Sequence, residues 1–333
     1  MTYGGPVVSS EWLAENLGTD GICVVDATVH LPDTGRDARA EYLAAHIPGA
    51  VFFDLARVAD PDNPLPRKFP PRETFANEVG ALGITNNIHV IAYDTPGLYS
   101  AARVWWLFRQ YGYDRVSILD GGLKNWQAEG RATESGSVTP EPATFVAGDE
   151  RALFASWRDV LDASKSGNEQ ILDARTAGRF SGEELDRYPG ARPGHIPGSR
   201  NLYWAELLNK DTRTLLPVNE IRKRIEGAGI SEDSPVVLSC GSGLTACILA
   251  LGLHLGGAMT GVFTTVPGMN GGVITIFRSR PVRPEIDSGR SGPRRSVRQP
   301  DVVLGQRGLG CTGVEQVIQF GVLQTGADRP VLR

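Results

Sequence analysis

A chain of 333 residues, 41% hydrophobic and with a formal charge of −4, is long enough for two cored domains and has an ordinary soluble composition. It has no basic excess to hold nucleic acid or membrane lipid and no run near the roughly 18 apolar residues of a spanning helix. Its opening, Met1 to Pro6, lacks the cationic start and apolar stretch of a secretion signal. The four cysteines (Cys23, Cys240, Cys247, Cys311) show no C-x-x-C spacing and the five histidines no close pairs. Neither a disulfide framework nor a metal site is indicated, and a reducing cytoplasm is expected.

In chain order, Val24-Val25-Asp26-Ala27 reads as a buried strand and turn, with Cys23 a small buried hydrophobe beside it. His46-Ile47-Pro48-Gly49 follows, then a strand Val90 to Asp94 and a helix from Ser100 to Tyr111. Val116 to Leu119 makes another strand, closed by Asp120-Gly121-Gly122 and reaching Trp126. The stretch 131–150, with Ser, Thr, Pro and Gly and little periodicity, reads as a linker. The pattern then returns as Ile171-Leu172-Asp173-Ala174-Arg175, His195-Ile196-Pro197-Gly198, Val236 to Cys240 and a helix from Thr245 to about Leu255. The matched landmarks are 147 (26 to 173), 149 (46 to 195) and 146 (94 to 240) residues apart, which indicates duplication of a whole domain. Strands alternating with helices imply an α/β fold, each half a parallel sheet covered by helices on both faces. The expected boundaries are 7–130, a linker at 131–150, 151–280, and a tail at 281–333.

The halves differ where chemistry would occur. Asp94 in the first stands where Cys240 stands in the second, and a carboxylate cannot carry a transferable sulfur, so the first half is expected to be non-catalytic. Cys240 ends an apolar strand and opens Gly241-Ser242-Gly243-Leu244-Thr245-Ala246 before an apolar helix. Backbone N–H groups curling around the sulfur, together with the positive helix end, favour thiolate over thiol and make a nucleophile without a neighbouring histidine. Small residues at 241 and 243 let a substrate approach, Ser242 can donate to it, and Thr245 can cap the helix. His46 and His195 recur in both halves, including the one without a thiol, which argues for structural hydrogen bonding. A C-x-x-x-x-x-R phosphatase loop is disfavoured because Ala246 stands where the arginine belongs.

Duplicated domains, paired H-I-P-G motifs and a single cysteine loop resemble the two-domain rhodanese-type sulfurtransferases, over about Val7 to Leu255. The loop Cys-Gly-Ser-Gly-Leu-Thr-Ala is close to the C-G-S-G-V-T-A form of 3-mercaptopyruvate sulfurtransferases, whereas thiosulfate-specific relatives usually carry basic residues just after the cysteine. The resemblance implies two tandem rhodanese-like domains and an enzyme whose Cys240 takes sulfur from 3-mercaptopyruvate, leaving pyruvate, and holds it as a persulfide. A thiol such as thioredoxin, or cyanide, then removes the sulfur. Thiosulfate as donor and an inactive, vestigial member are the alternatives. The resemblance further implies a monomer with no cofactor and no metal, binding neither nucleic acid nor membrane. It assigns substrate binding to Arg179, Gly241, Ser242, Gly243, Leu244 and Thr245. The family's second substrate arginine lies nine residues after the first; that position is Tyr188 here, with Arg187 one place earlier, so Arg187 is the candidate. Arg175 is expected to brace the loop. Family accounts also join residues such as Asp37 and His46 to the loop serine in a proton relay, which here would have to cross between domains.

The ending departs from the resemblance. A duplicated second half should close with a D-G-x-x-x-W segment like that of the first, and residues 258–271 do not. Taking the last nucleotide of each codon with the first two of the next, this stretch can encode Y-D-G-S-W-N-E-W; some third bases are free, but the Met269–Asn270 junction gives only Glu. The expectation is a single-base frameshift from about residue 257, in the gene or in its record. The tail from Pro281 to Arg333, with eight arginines, no lysine and many Gly and Pro, is then an out-of-frame peptide expected to be disordered.

Overall fold

Short apolar runs separated by helices build the first half. β1 (Val7–Val8), β2 (Ile22–Asp26), β3 (Val51–Phe52), β4 (His89–Tyr93) and β5 (Val116–Leu119) lie in the order β1-β5-β4-β2-β3. Every neighbouring pair is parallel. The structure is a computed structural model that describes residues 4–278 apart from 32–33, 63–68, 152, 154, 156, 186–190, 232–233, 258–264 and 268–272.

A parallel sheet must be covered on both faces, and β4 is accordingly buried along its whole length. On one face Val24, Ile91 and Tyr93 meet Leu13 of α1 (Ser10–Asn16) and Leu123 and Trp126 of α5 (Gly122–Ala128). On the other, Val25, Val90 and Ala92 join Phe75 and Val79 of α3 (Arg72–Ala81) and the apolar side of α4 (Ala101–Gln110). The remaining helix, α2 (Ala38–Ala44), is capped by Asp37, whose carboxylate accepts the Ala40 N–H at 3.0 Å. Stretch 131–150 is strapped along this half. The Ala143 N–H donates to Gly80 at 2.8 Å, Gly148 donates to Tyr111 at 2.9 Å, and Phe145 is buried between Phe75, Phe108 and Tyr113.

The second half contains α6 (Trp157–Ser166), β6 (Gln170–Asp173), α7 (Ala177–Ser181), β7 (Ser199–Asn201), a 3-10 turn at Trp204–Leu207, α8 (Val218–Gly227), β8 (Val236–Cys240) and α9 (Ala246–Leu255), then β9 (Thr265–Pro267) and β10 (Val273–Arg278). Its sheet order is β7-β6-β8-β10-β9. Val237 faces Val160 and Ala163 of α6, while Leu238 and Cys240 face α9 and the Ile221 and Ile225 side of α8. α9 is apolar around its circumference and buried from Ala246 to Leu253, as a helix must be when it has a sheet on one side and a second helix on the other. That second helix is α4 of the first half. Trp105 and Trp106 of α4 are completely buried, each removing roughly 5 kcal/mol worth of apolar area from water. Arg109 Nη1 meets His254 Nε2 at 3.2 Å, and the Asp120 carboxylate accepts the Leu215 N–H at 2.8 Å. One apolar cluster therefore runs through both halves.

The sheets part company at one edge. β10 occupies the place beside β8 that β5 has beside β4, but it pairs antiparallel, as does β9 with β10. The expected parallel arrangement holds for β7-β6-β8. A strand entering through a hairpin from the loop end can only run antiparallel, whereas β5 arrives by a crossover. Most of the recoded stretch at 258–271 and all of the tail at 281–333 lie outside the described residues.

Candidate active site

The thiol and its surroundings follow from strand geometry. β6 and β8 are parallel neighbours, with Asp173 opposite Ser239. The segment after β6, which carries Arg179 on α7, and the loop after β8, which carries Cys240, leave the same end of the sheet. That is where open α/β sheets place their ligands. Arg179 is half-buried, and α7 is capped by Thr176, whose hydroxyl accepts the Arg179 N–H at 3.4 Å. Arg175 is tied to this end of the sheet. It forms a two-pronged pair with Asp173 (2.7 and 3.0 Å) and donates to the Gly194 carbonyl at 2.8 Å. Arg187 lies outside the described residues.

Gly243 is the hinge of the cysteine loop. Its φ of +85° lies in the region glycine tolerates, its N–H donates to Cys240 Sγ at 3.2 Å, and its carbonyl accepts the Cys247 S–H at 3.2 Å. Burial pushes the Cys247 thiol well up, so it stays neutral and serves as a donor. Gly241, Ser242, Gly243 and Leu244 are all buried; Ser242, at 8% exposed, has no hydrogen-bond partner among the described residues. Thr245 does not cap α9. It adopts helical angles (φ −76°, ψ −24°) and makes no side-chain cap bond, because the chain is already turning as helix there; an N-cap residue needs extended angles to aim its oxygen at the first N–H groups.

The first half shows what this loop is built to hold. Gly97 (φ +78°) corresponds to Gly243, and the Asp94 carboxylate accepts N–H bonds from Ser100 at 2.6 Å and Ala101 at 2.7 Å. Burial raises Asp94, and these amides oppose the rise. At Cys240 only the Gly243 N–H reaches the sulfur among the described residues; the Cys247 N–H, which matches that of Ala101, goes to the Leu244 carbonyl at 3.1 Å. The expected ring of amides is thus partial around a bare thiol, and reach explains it. A carboxylate oxygen lies two bonds beyond Cβ and Sγ only one.

Cys240 is 1% exposed. Thr275 of β10 pairs beside it, and Ile274 and Val273 continue past the end of β8 to pair with β9.

The histidines are structural. His46 is fully buried, bonded at Nδ1 to the Tyr42 carbonyl (2.8 Å) and at Nε2 to Glu134 (3.2 Å), and stacked on Tyr42. His195 bonds the Phe180 carbonyl at 2.8 Å and stacks on its ring, holding the residue next to Arg179. Neither His46 nor Asp37 is among the described contacts of Ser242. The sequence reading passed over Arg103, a buried cation on α4 that faces Cys247. Its signal was present: an arginine inside Ala-Ala-Arg-Val-Trp-Trp-Leu-Phe, where every neighbour belongs to a core.

Comparison with known proteins agrees with this architecture. The rhodanese-like domain matches residues 9–129 and again 156–273. The human 3-mercaptopyruvate sulfurtransferase is 40% identical over 257 residues, covering 75% of this chain and 86% of the relative. The mitochondrial thiosulfate/3-mercaptopyruvate sulfurtransferase 1 of Arabidopsis thaliana is 39% identical over 270 residues, covering 75% and 71%. The crystal structure of an Escherichia coli 3-mercaptopyruvate sulfotransferase superposes with a TM-score of 0.69 at 40% identity, covering 76% of this chain and 94% of that one. A duplicated sheet, a single thiol loop and these likenesses lead to one assignment: the chain belongs to the rhodanese family of two-domain sulfurtransferases.

Proposed function

We propose that this chain moves sulfur from 3-mercaptopyruvate through a persulfide on Cys240. The observation that carries the reading is the Asp94 carboxylate, an anion two bonds beyond Cβ held by two amides at the matching loop. The outer sulfur of a Cys240 persulfide has the same reach. The amides that a bare thiol leaves unused would then stabilise its charge without a proton to lose. Ser242, with no described partner, donates to the substrate, and Arg179 supplies the guanidinium fork for its carboxylate. Arg187, from the same connection, is the second cation in this scheme.

The step balances. Cys240 thiolate attacks the thiol sulfur of mercaptopyruvate, and the carbon–sulfur bond breaks with its electron pair going to the methylene carbon. The resulting enolate takes the thiol proton and becomes pyruvate. Cyanide or a thiol then removes the outer sulfur and restores the thiolate. A thioredoxin-like acceptor, a monomeric enzyme and the cytoplasm complete the proposal; the free thiols Cys23, Cys240 and Cys247 suit a reducing compartment. Among the described residues no helix is long and apolar enough to cross a membrane. Treating the protein with mercaptopyruvate should add one sulfur to the Cys240 peptide by mass spectrometry and none in Cys240→Ser; a folded sample without the gain would refute the reading.

A further inference from the structure

Arg103 is a buried charge without a counter-ion. It projects from α4 of the half whose loop carries Asp94 in place of a cysteine, and it is 3% exposed. Its Cζ lies 4.5 Å above the Trp106 ring, and Nη1 has no hydrogen-bond partner. No carboxylate among the described residues pairs with it, whereas Arg109 two turns along has both Asp114 and His254. Arg103 sits on α4, which packs on α9 carrying Cys247, and the titratable groups that act on it are Cys247, Cys240, and Tyr111 at the end of its own helix. Burial lowers the guanidinium, and the two sulfurs oppose that shift. An isolated buried cation is costly, and removing one partner of a buried pair usually destabilises strongly. The arrangement therefore calls for an anion. Cys247 cannot be it, because its S–H is committed to the Gly243 carbonyl and burial keeps it neutral. That leaves Cys240.

We propose that Arg103, supplied by the half whose loop carries Asp94 in place of a cysteine, is the buried counter-cation of the Cys240 sulfur, a positioning residue acting through Cys247 and the loop. The position 146 residues later, facing the other way, is Leu249, as expected where the sister loop carries its own carboxylate instead of a sulfur. The idea builds on Cys240 as the reactive thiol, but its test needs no sulfur donor, so its failure is distinguishable from failure of the persulfide reading.

The test measures iodoacetamide alkylation of Cys240 against pH, located by mass spectrometry, in the whole chain and in Arg103→Met and Arg103→Lys. In Arg103→Met the midpoint should rise by about one pH unit, so the thiolate fraction at neutral pH falls about tenfold. Arg103→Lys should recover most of it. A curve for Arg103→Met that superimposes on the parent overturns the proposal. Cys240→Ala gives a second reading that does not depend on how the arginine variants fold. Removing the sulfur should lower the melting temperature more at pH 8 than at pH 5; equal effects at both pH values overturn it as well.

Discussion

Replacing Gly243 by alanine separates backbone strain from chemistry, because the molecule contains its own control. Gly243 and Gly97 sit at matched loop positions with φ of +85° and +78°, and a side chain in that region costs about 1–2 kcal/mol at either site. At Gly97 an added Cβ would also meet Arg213 Cβ and the Gly121 carbonyl oxygen at 2.9 Å, so Gly97→Ala should lose at least as much stability as Gly243→Ala in urea melts. Only Gly243 donates to the Cys240 sulfur. Alanine keeps its N–H but is driven away from positive φ, which swings that donor off the sulfur, and losing one preorganised donor to a charged sulfur slows reaction on the order of 10². Single-turnover persulfide formation, normalised to folded protein, should therefore fall by about that factor in Gly243→Ala and stay near the parent rate in Gly97→Ala. Parent-like persulfide formation in a destabilised Gly243→Ala would refute the reasoning, as would equal slowing in both variants.

Three further outcomes are expected. Arg179→Gln should raise KM for mercaptopyruvate roughly 10-fold or more, the loss of one charged hydrogen-bonded pair, with the melting temperature unchanged; an unchanged KM would remove Arg179 from the site. His89 is buried and bonded to Ser117 Oγ at 2.8 Å, and burial with the Arg115 charge pushes its pKa down to about 4. The unfolded chain protonates near pH 6.5 and the native state does not, so stability is full above 6.5 and drops as pH falls toward 4, by about 2 kcal/mol between 6.5 and 5. Urea melts of His89→Gln should show a flatter slope in that window, and an unchanged slope would count against it. A gene with the reading frame restored from about residue 257 should give a protein more stable by about 2 kcal/mol or more, with faster turnover, since it exchanges an antiparallel hairpin for a parallel strand beside β8; equal melts and equal turnover for the two forms would contradict the frameshift.

Much of this architecture was legible because it is written twice. Asp26 and Asp173, Asp94 and Cys240, and the two H-I-P-G segments keep nearly constant separation, so a period that no single strand could establish fixed the element order. α4 and α9 begin at Ala101 and Ala246, one residue later than read. The thiol was legible from its glycines. Its burial was not, since that depends on the helices packed against the end of β8. Arg103 escaped for a different reason. A lone cation in an apolar helix is read as a solvated edge until the facing helix is known, and that helix lies about 145 positions away in the chain.

The packing of α4 on α9 makes neither half dispensable. Severing the chain within 131–150 would do more than uncover two apolar faces; it would strip the thiol of a charge it cannot raise from its own lobe. Ancestral copies that each carried a complete site would have been free to drift only once they were paired. One could then relinquish its nucleophile and keep its arginine, so the lobe that looks spent is a subunit fused in place.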